Sequence, residues 1–231
     1  AASFTTEVFA TATTMAGKSI RNGTTKQSFS IEKSFGDIGV FHNYQGMRVT
    51  SMALDFTSQS ILTGTFGFAG RAQTLSSTTV ASATTDSSTN TVMNASGNVG
   101  KIWEGGQAIT DVVFQNIALS LDNNPRDQPQ VGSNYLAGIG LGQCKVEGTF
   151  NAYFENNAVA SKYVAGTETN LRFEVNDLDG NTYVVDVPKI RLADFTATAE
   201  GPNNDVMQDV SWGAMVDSTG TYAIQFDALD A

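Results

Sequence analysis

Apolar side chains recur at every second residue along much of this chain, and helical spacing is nearly absent. Met52, Leu54 and Phe56 alternate with Ser51, Ala53 and Asp55, and Leu171, Phe173 and Val175 alternate with Arg172, Glu174 and Asn176. Period two sends successive side chains to opposite faces of a strand, so each such segment buries one face and wets the other. The pattern returns in Tyr183, Val185 and Val187, in Val210, Trp212 and Ala214, and in Tyr222, Ile224 and Phe226. It predicts a mainly β fold, an antiparallel β-sandwich or partial barrel with one short helix and long loops. At 231 residues the chain can bury its own core as a single domain.

Turn chemistry fits the strands. Asp179-Gly180 separates the Leu171 and Tyr183 runs, and Asp-Gly readily takes positive φ, so Leu171 to Pro188 is read as a hairpin. Asp177-Leu178-Asp179-Gly180-Asn181 also resembles part of a calcium loop, but it lacks the later glutamate and runs into a strand. The helix is placed after Phe154-Glu155-Asn156-Asn157, with Ala158, Val159, Tyr163 and Val164 as its apolar side and Gly166 as its stop. Three segments resist core assignment: Ala1 to Gln27, the Ser/Thr-rich tract Gln73 to Gly100, and Asp122 to Gly142. Loops of this length inside a domain are usually functional or disordered.

Charge and the scarcity of soft ligands exclude whole classes of chemistry. With 23 acidic against 13 basic side chains the net charge is -10, which opposes adhesion to phosphate backbones or anionic lipid. The single cysteine, Cys144, forms no internal disulfide and suggests a reducing compartment. Cys144 and His42 alone cannot build a Cys/His zinc site, and any Ser/His/Asp mechanism would need His42 as its base, although Val40-Phe41-His42-Asn43-Tyr44 reads as strand or turn. Gly138-Ile139-Gly140-Leu141-Gly142 leads into a strand-like run, Cys144 to Phe150, rather than the helix that a phosphate loop requires. Glu147 and Asp55 are the carboxylates that a glycoside-cleaving enzyme would use, with no third feature to support them. Neither a leader nor an anchor is expected from Ala1 to Glu7, and no segment approaches the ~20 apolar residues of a membrane helix. The expectation is a protein with no catalytic centre, metal or cofactor.

The chain contains one unit twice, over about 47–70 and 111–154. Val49 to Phe56 aligns with Phe114 to Leu121 at an offset of 65, and Leu62-Thr63-Gly64-Thr65-Phe66 aligns with Val146-Glu147-Gly148-Thr149-Phe150 at an offset of 84. Each copy reads as two neighbouring strands with one apolar face.

Several ordered stretches carry a resemblance. Phe29-Ser30-Ile31-Glu32-Lys33-Ser34-Phe35, Tyr44 to Met52 and Gly64 to Gly70 resemble the amino-terminal half of tailed-phage tail tube proteins. Ile117 to Asn124, Val146 to Phe154, Asp179 to Tyr183 and Gly201-Pro202-Asn203-Asn204-Asp205-Val206-Met207 continue it to the carboxyl-terminal half. The order of these short motifs is more specific than any one of them. The likeness spans about residue 29 to the end, which leaves 1–28 as an amino-terminal arm and 29–231 as a single tube domain.

The resemblance implies a structural virion protein that stacks as hexameric rings into a hollow conduit for genome delivery, assembled in the host cytoplasm. Implied partners are further copies of itself, a tape measure protein in the lumen, a tail terminator, baseplate or tail-tip proteins, and DNA that passes without specific binding. No membrane is involved. On that scheme the polar faces of the repeated strands look into the lumen, with Ser51, Asp55, Thr63, Thr65, Asn116, Ser120, Lys145, Glu147, Thr149 and Asn151 as candidates. Ser77, Thr85, Asp86, Asn90, Asn124, Arg126 and Asp127 are the candidates for contacts between rings. An acidic wall would repel DNA, although Lys145 beside Glu147 would weaken that field. The competing class is a secreted or surface β-sandwich adhesin or carbohydrate-binding module, which would need an exposed aromatic platform that only Trp103 offers.

Overall fold

In the computed structural model, which describes residues 17–86, 91–109, 112–199, 201–217 and 222–229, the alternating segments are strands, except that Tyr222 and Ile224 precede the last strand rather than belonging to it. They run in the order β1 (Gly17–Arg21), β2 (Phe29–Phe35), β3 (Val40–Thr57), β4 (Thr63–Ala69), β5 (Ala72–Ser76), β6 (Val99–Glu104), β7 (Gln107–Ala108), β8 (Phe114–Asp122), β9 (Pro125–Gln128), β10 (Gly138–Leu141) and β11 (Lys145–Tyr153). The helix α1 (Ala158–Ala165) follows, then β12 (Glu168–Asn176), β13 (Thr182–Ala199), β14 (Val206–Ala214) and β15 (Gln225–Leu229). The fold is mainly β and antiparallel, with one helix among the described residues, and the sheet does not close into a barrel.

Two long strands change partners along their length. The second half of β3 lies between β4 and β8, and the sheet continues through β11 and β14 to the second half of β13. The first half of β13 instead sits between β12 and β15, with β6 beyond β12 and β1 beyond β15. Register shifts at Thr169/Leu171 and Leu192/Asp194 mark the change, since an extra residue in one strand bends it and re-aims its edge. The two layers share one core: Met52, Ile117, Leu119, Val146, Phe150, Val210 and Trp212 from the first meet Leu171, Phe173, Val185, Val187 and Ile224 from the second. The rings of Phe56 and Phe173 stack at 5.9 Å. The first half of β3 projects from this body and pairs with β2 and β5.

The sequence repeat is also a repeat of register. In the β3–β4 hairpin Met52 faces Phe66, Ala53 faces Thr65 and Leu54 faces Gly64; in β8–β11 their counterparts Ile117, Ala118 and Leu119 face Phe150, Thr149 and Gly148. The two hairpins join through β3 and β8, where Leu54 faces its own counterpart Leu119. An antiparallel pair in which equivalent residues oppose one another has a local two-fold axis between them. The four strands β4-β3-β8-β11 therefore carry an internal dyad normal to the sheet.

The helix begins at Ala158 and ends at Gly166, whose φ of 63° allows Thr167 N–H to reach the Lys162 carbonyl at 3.0 Å. It rests on β13, with Tyr163 stacked on Phe195 at 6.1 Å. The predicted hairpin is β12–β13. In its turn the Asp177 carboxylate accepts the Asp179 and Asn181 amides (2.9 and 2.8 Å) and the Asn181 side chain (2.8 Å), so its oxygens serve the turn rather than a cation. Those bonds, chiefly from the Asn181 side chain, hold the pKa of Asp177 below the usual carboxylate range.

Two segments read as loops contain strands. The tract 73–100 contains most of β5 and the start of β6, and Glu32 holds Thr79 Oγ1 at 2.6 Å and the Val80 amide at 2.8 Å. Residues 122–142 contain the β9–β10 hairpin, bound to the body by Arg48 donating to the Ile139 carbonyl and Arg71 Nε to the Leu136 carbonyl at 3.1 Å. Neither Pro125-Arg126-Asp127-Gln128 nor Gly138-Ile139-Gly140-Leu141 alternates polar with apolar residues beyond Ile139 and Leu141, so their pairing leaves little periodic signal. Within 1–28, residues 17–21 form β1 on β15, while 1–16 lie outside the described residues, as do Thr110 and Asp111 at the start of the second repeat.

Candidate functional site

The ten residues read as lumen-facing share one side of the first layer. Opposed residues in an antiparallel pair point the same way, so register alone traces the face. On β4 and β3 it runs through Thr63 and Thr65, opposite Asp55 and Ala53. It crosses to β8, where Ser51, Ala53, Asp55 and Thr57 oppose Asp122, Ser120, Ala118 and Asn116, and to β11, where Lys145, Glu147, Thr149 and Asn151 face the same four. It ends on β14 and β13: Glu147, Thr149 and Asn151 face Gly213, Ser211 and Asp209, which face Arg191, Asp194 and Thr196. Small side chains along the middle, among them Ala53, Ala118, Gly213 and Ser211, leave it shallowly concave.

The face is polar, cross-linked and acidic. Asp55 accepts from Thr57 Oγ1 at 2.6 Å and Asn116 Nδ2 at 3.1 Å, and Asp209 accepts from Asn151 Nδ2 at 2.6 Å. Lys145 and Glu147 pair at 2.7 Å, both largely exposed, and cancel one another. The paired rows hold five acids (Asp55, Asp122, Glu147, Asp194 and Asp209) against Lys145 and Arg191, a net charge of -3. The β13 and β14 rows were missed by the sequence reading. Alternation already set Asp209 and Ser211 opposite Val210 and Trp212; what it lacked was the pairing of β14 with β11.

The ring-contact candidates lie elsewhere and apart. Ser77, Thr85 and Asp86 are exposed and outside any strand, and Asn90 lies outside the described residues. Asn124 takes a φ of 45° and donates to the Gln143 carbonyl at 2.7 Å. Arg126 and Asp127 belong to β9, opposite Gly140 and Ile139.

Among the described residues no three His, Cys, Asp or Glu side chains are placed to hold a metal ion. His42 is a β3 residue, edge-on to Phe35 at 5.0 Å with Gln73 Nε2 at 3.4 Å from its Nδ1. Burial, then the Asp122 charge, push the Cys144 thiol up, the opposite of an activated nucleophile. Trp212 is core, and Trp103 is half-buried beneath Lys101, so neither forms an exposed platform. Glu147 and Asp55 share the polar face, two strands apart, each already bound to its own neighbours.

A sequence model of the family described as phage tail tube protein matches residues 1–214. The chain belongs to that family. No curated protein matches it. This tail tube chain is therefore a structural component of a phage tail, and its place is the virion.

Outside the polar face, a buried ionic cluster braces the second layer. Arg172 donates to one Asp186 oxygen through Nε and Nη2 (3.0 and 2.9 Å), and Tyr222 donates to the other at 3.1 Å. Desolvation first, then the nearby Asp186 charge, push the Tyr222 hydroxyl up to about 12. Desolvation likewise raises Asp227, with Asp186 adding to it and the Gln225 and Arg172 side chains opposing. A carboxyl whose folded-state value is raised loses stability as pH climbs through that value. Asp227→Asn is therefore expected to melt above the wild type at pH 7, with the gain vanishing below about pH 4, where the unfolded carboxyl is also protonated. Melting temperatures of both proteins from pH 3 to 8 check this; a constant difference would contradict it.

Proposed function

We propose that this protein is the repeating subunit of rings, six copies each, stacked into a hollow tube whose lumen is lined by the polar face of the first layer. The observation that carries the proposal is that face: six antiparallel strands wide, polar from β4 to β13, and with no strand among the described residues beyond β4 or beyond Asp194–Ala199 of β13. An open sheet exposes unpaired backbone at its edges, which invites added strands, and ring closure removes those edges. Residues 29–231 supply the tube domain, and β1 anchors the arm of 1–28 to it.

The charge then has a mechanical use. With -3 on each face, six copies give the wall about -18, which repels a polyanion at any distance the salt does not screen, ~8 Å at physiological ionic strength. Weak contact suits DNA that must pass rather than bind. The Lys145–Glu147 pair does not oppose this, because it is neutral as a unit. The tube would form in the host cytoplasm around a tape measure protein, between baseplate or tail-tip proteins and a terminator. Electron microscopy of the purified protein at high concentration tests the reading: rings or tubes support it, and monodisperse monomers under all conditions count against it.

A further inference from the structure

The first and last described strands meet at one side chain. β1 lies along β15 in the second layer, with Gly17 opposite Leu229 and Arg21 opposite Gln225. Asn22 follows β1 and keeps the contact: its own amide donates to the Ile224 carbonyl at 3.3 Å, and its side chain accepts the Ala223 and Ile224 amides at 2.8 and 3.0 Å. Both neighbours are N–H donors, so the atom they hold is the carbonyl oxygen Oδ1.

Two main-chain N–H groups aimed at one carbonyl oxygen are the arrangement that stabilises an oxyanion in acyl transfer. Here the carbonyl carbon is Asn22 Cγ, and a nitrogen that can attack it lies one residue on. Asn22 is followed by glycine in the sequence's one Asn-Gly pair. Gly23 is exposed, and a Cβ built on it would have nothing within 4 Å, so no side chain shields its nitrogen. Among the described residues nothing accepts from the Gly23 amide or from Asn22 Nδ2. Nucleophile and leaving group are therefore free, while the oxygen between them is held.

We propose that Asn22-Gly23 is a site of self-catalysed deamidation, with the Gly23 nitrogen as nucleophile and the Ala223 and Ile224 amides as the oxyanion hole. The Gly23 amide gives its proton to hydroxide and its nitrogen bonds to Asn22 Cγ, which places the negative charge on Oδ1 between the two donors. The carbonyl re-forms as the Cγ–Nδ2 bond breaks, and Nδ2 takes a proton from water and leaves as ammonia. One water molecule then opens the cyclic imide. Opening at Cγ gives aspartate, and opening at the main-chain carbonyl gives isoaspartate, in which the backbone runs through the former side chain. Water is the one co-reactant, and nothing is oxidised or reduced. Aspartate still accepts both amides and adds one negative charge to the net -10. Isoaspartate lengthens the backbone by one carbon where β1 passes into the exposed residues 23–28. The step is irreversible in water and needs no second copy, so the converted fraction records how long a chain has been folded, inside a ring or outside one.

Incubation of the full chain at mildly alkaline pH, folded and in guanidinium, tests the site. Anion exchange follows the added charge, and peptide mass spectrometry locates it. The oxyanion hole exists only in the folded chain, so Asn22 is expected to convert at least ~10-fold faster folded than unfolded, a part of the roughly 10²–10³ that one such donor supplies in an enzyme. Gly23→Ala puts its methyl into open space and keeps the fold, and it is expected to slow conversion several-fold by shielding the nitrogen. Conversion at Asn22 that is no faster in the folded protein than in guanidinium, or that is absent from both, overturns the proposal. A Gly23→Ala variant that converts as fast as the wild type overturns it as well, by removing Gly23 as the nucleophile.

Discussion

Gly148→Ala should cost the protein at least ~3 kcal/mol and leave little folded material at physiological temperature, at the upper end of overpacking penalties. A Cβ on Gly148 would stand 2.2 and 2.5 Å from Cζ2 and Cε2 of Trp212 and 2.6 Å from the Ala118 carbonyl oxygen. None of these can yield cheaply. Trp212 is 1% exposed in the middle of the core, and the carbonyl belongs to the adjacent strand β8. The repeat supplies its own control. At Gly64, the counterpart in the first hairpin, an added Cβ would meet the end of the flexible Leu54 side chain at 2.9 Å, with the Ala53 carbonyl no nearer than 3.5 Å. Gly64→Ala should therefore lose less than about 1 kcal/mol, in the range of a strand substitution that needs only a rotamer change. Urea denaturation of the two variants compares them directly, and equal losses would contradict the account of the close approach.

Arg172→Met is expected to lose about 3–5 kcal/mol, because it leaves the Asp186 carboxylate charged and without its cation in a site where that side chain is 5% exposed. The cost arises from the orphaned charge rather than from the net value of the pair. Adding Asp186→Leu should therefore restore much of the stability, less the loss of the Tyr222 hydroxyl's acceptor. Chemical denaturation of both single variants and the double closes the cycle. A double variant as unstable as the sum of the singles would show that the pair is not the unit that matters.

Much of this architecture is legible in the sequence because burial on one face of a strand leaves a two-residue period. Leu171 to Val175, Val210 to Ala214 and the repeated Gly-Thr-Phe turn up in strands with the expected faces inward, and the matched offsets foretell hairpins of identical register. Pairing between strands distant in sequence leaves no such trace. The period shows that Val40 to Thr57 is extended, but not that its first half joins β2 and β5 while its second joins β4 and β8. For the same reason the face read from sequence stops at β11 and omits Asp194 and Asp209, while Asp122, the last residue of β8, falls in a stretch read as loop. The β9–β10 hairpin escaped because two glycines in four residues and an exposed partner strand carry no alternation, although its Ile139 is 1% exposed.

The measurement that tests the central claim most directly is a cryo-electron microscopy reconstruction of tubes formed by the purified protein. The account predicts a hollow tube whose inner wall displays Asp55, Ser120, Thr149 and Asp209, with α1 away from the lumen. A tube that turns this face outward, or a lumen lined by basic side chains, would contradict it.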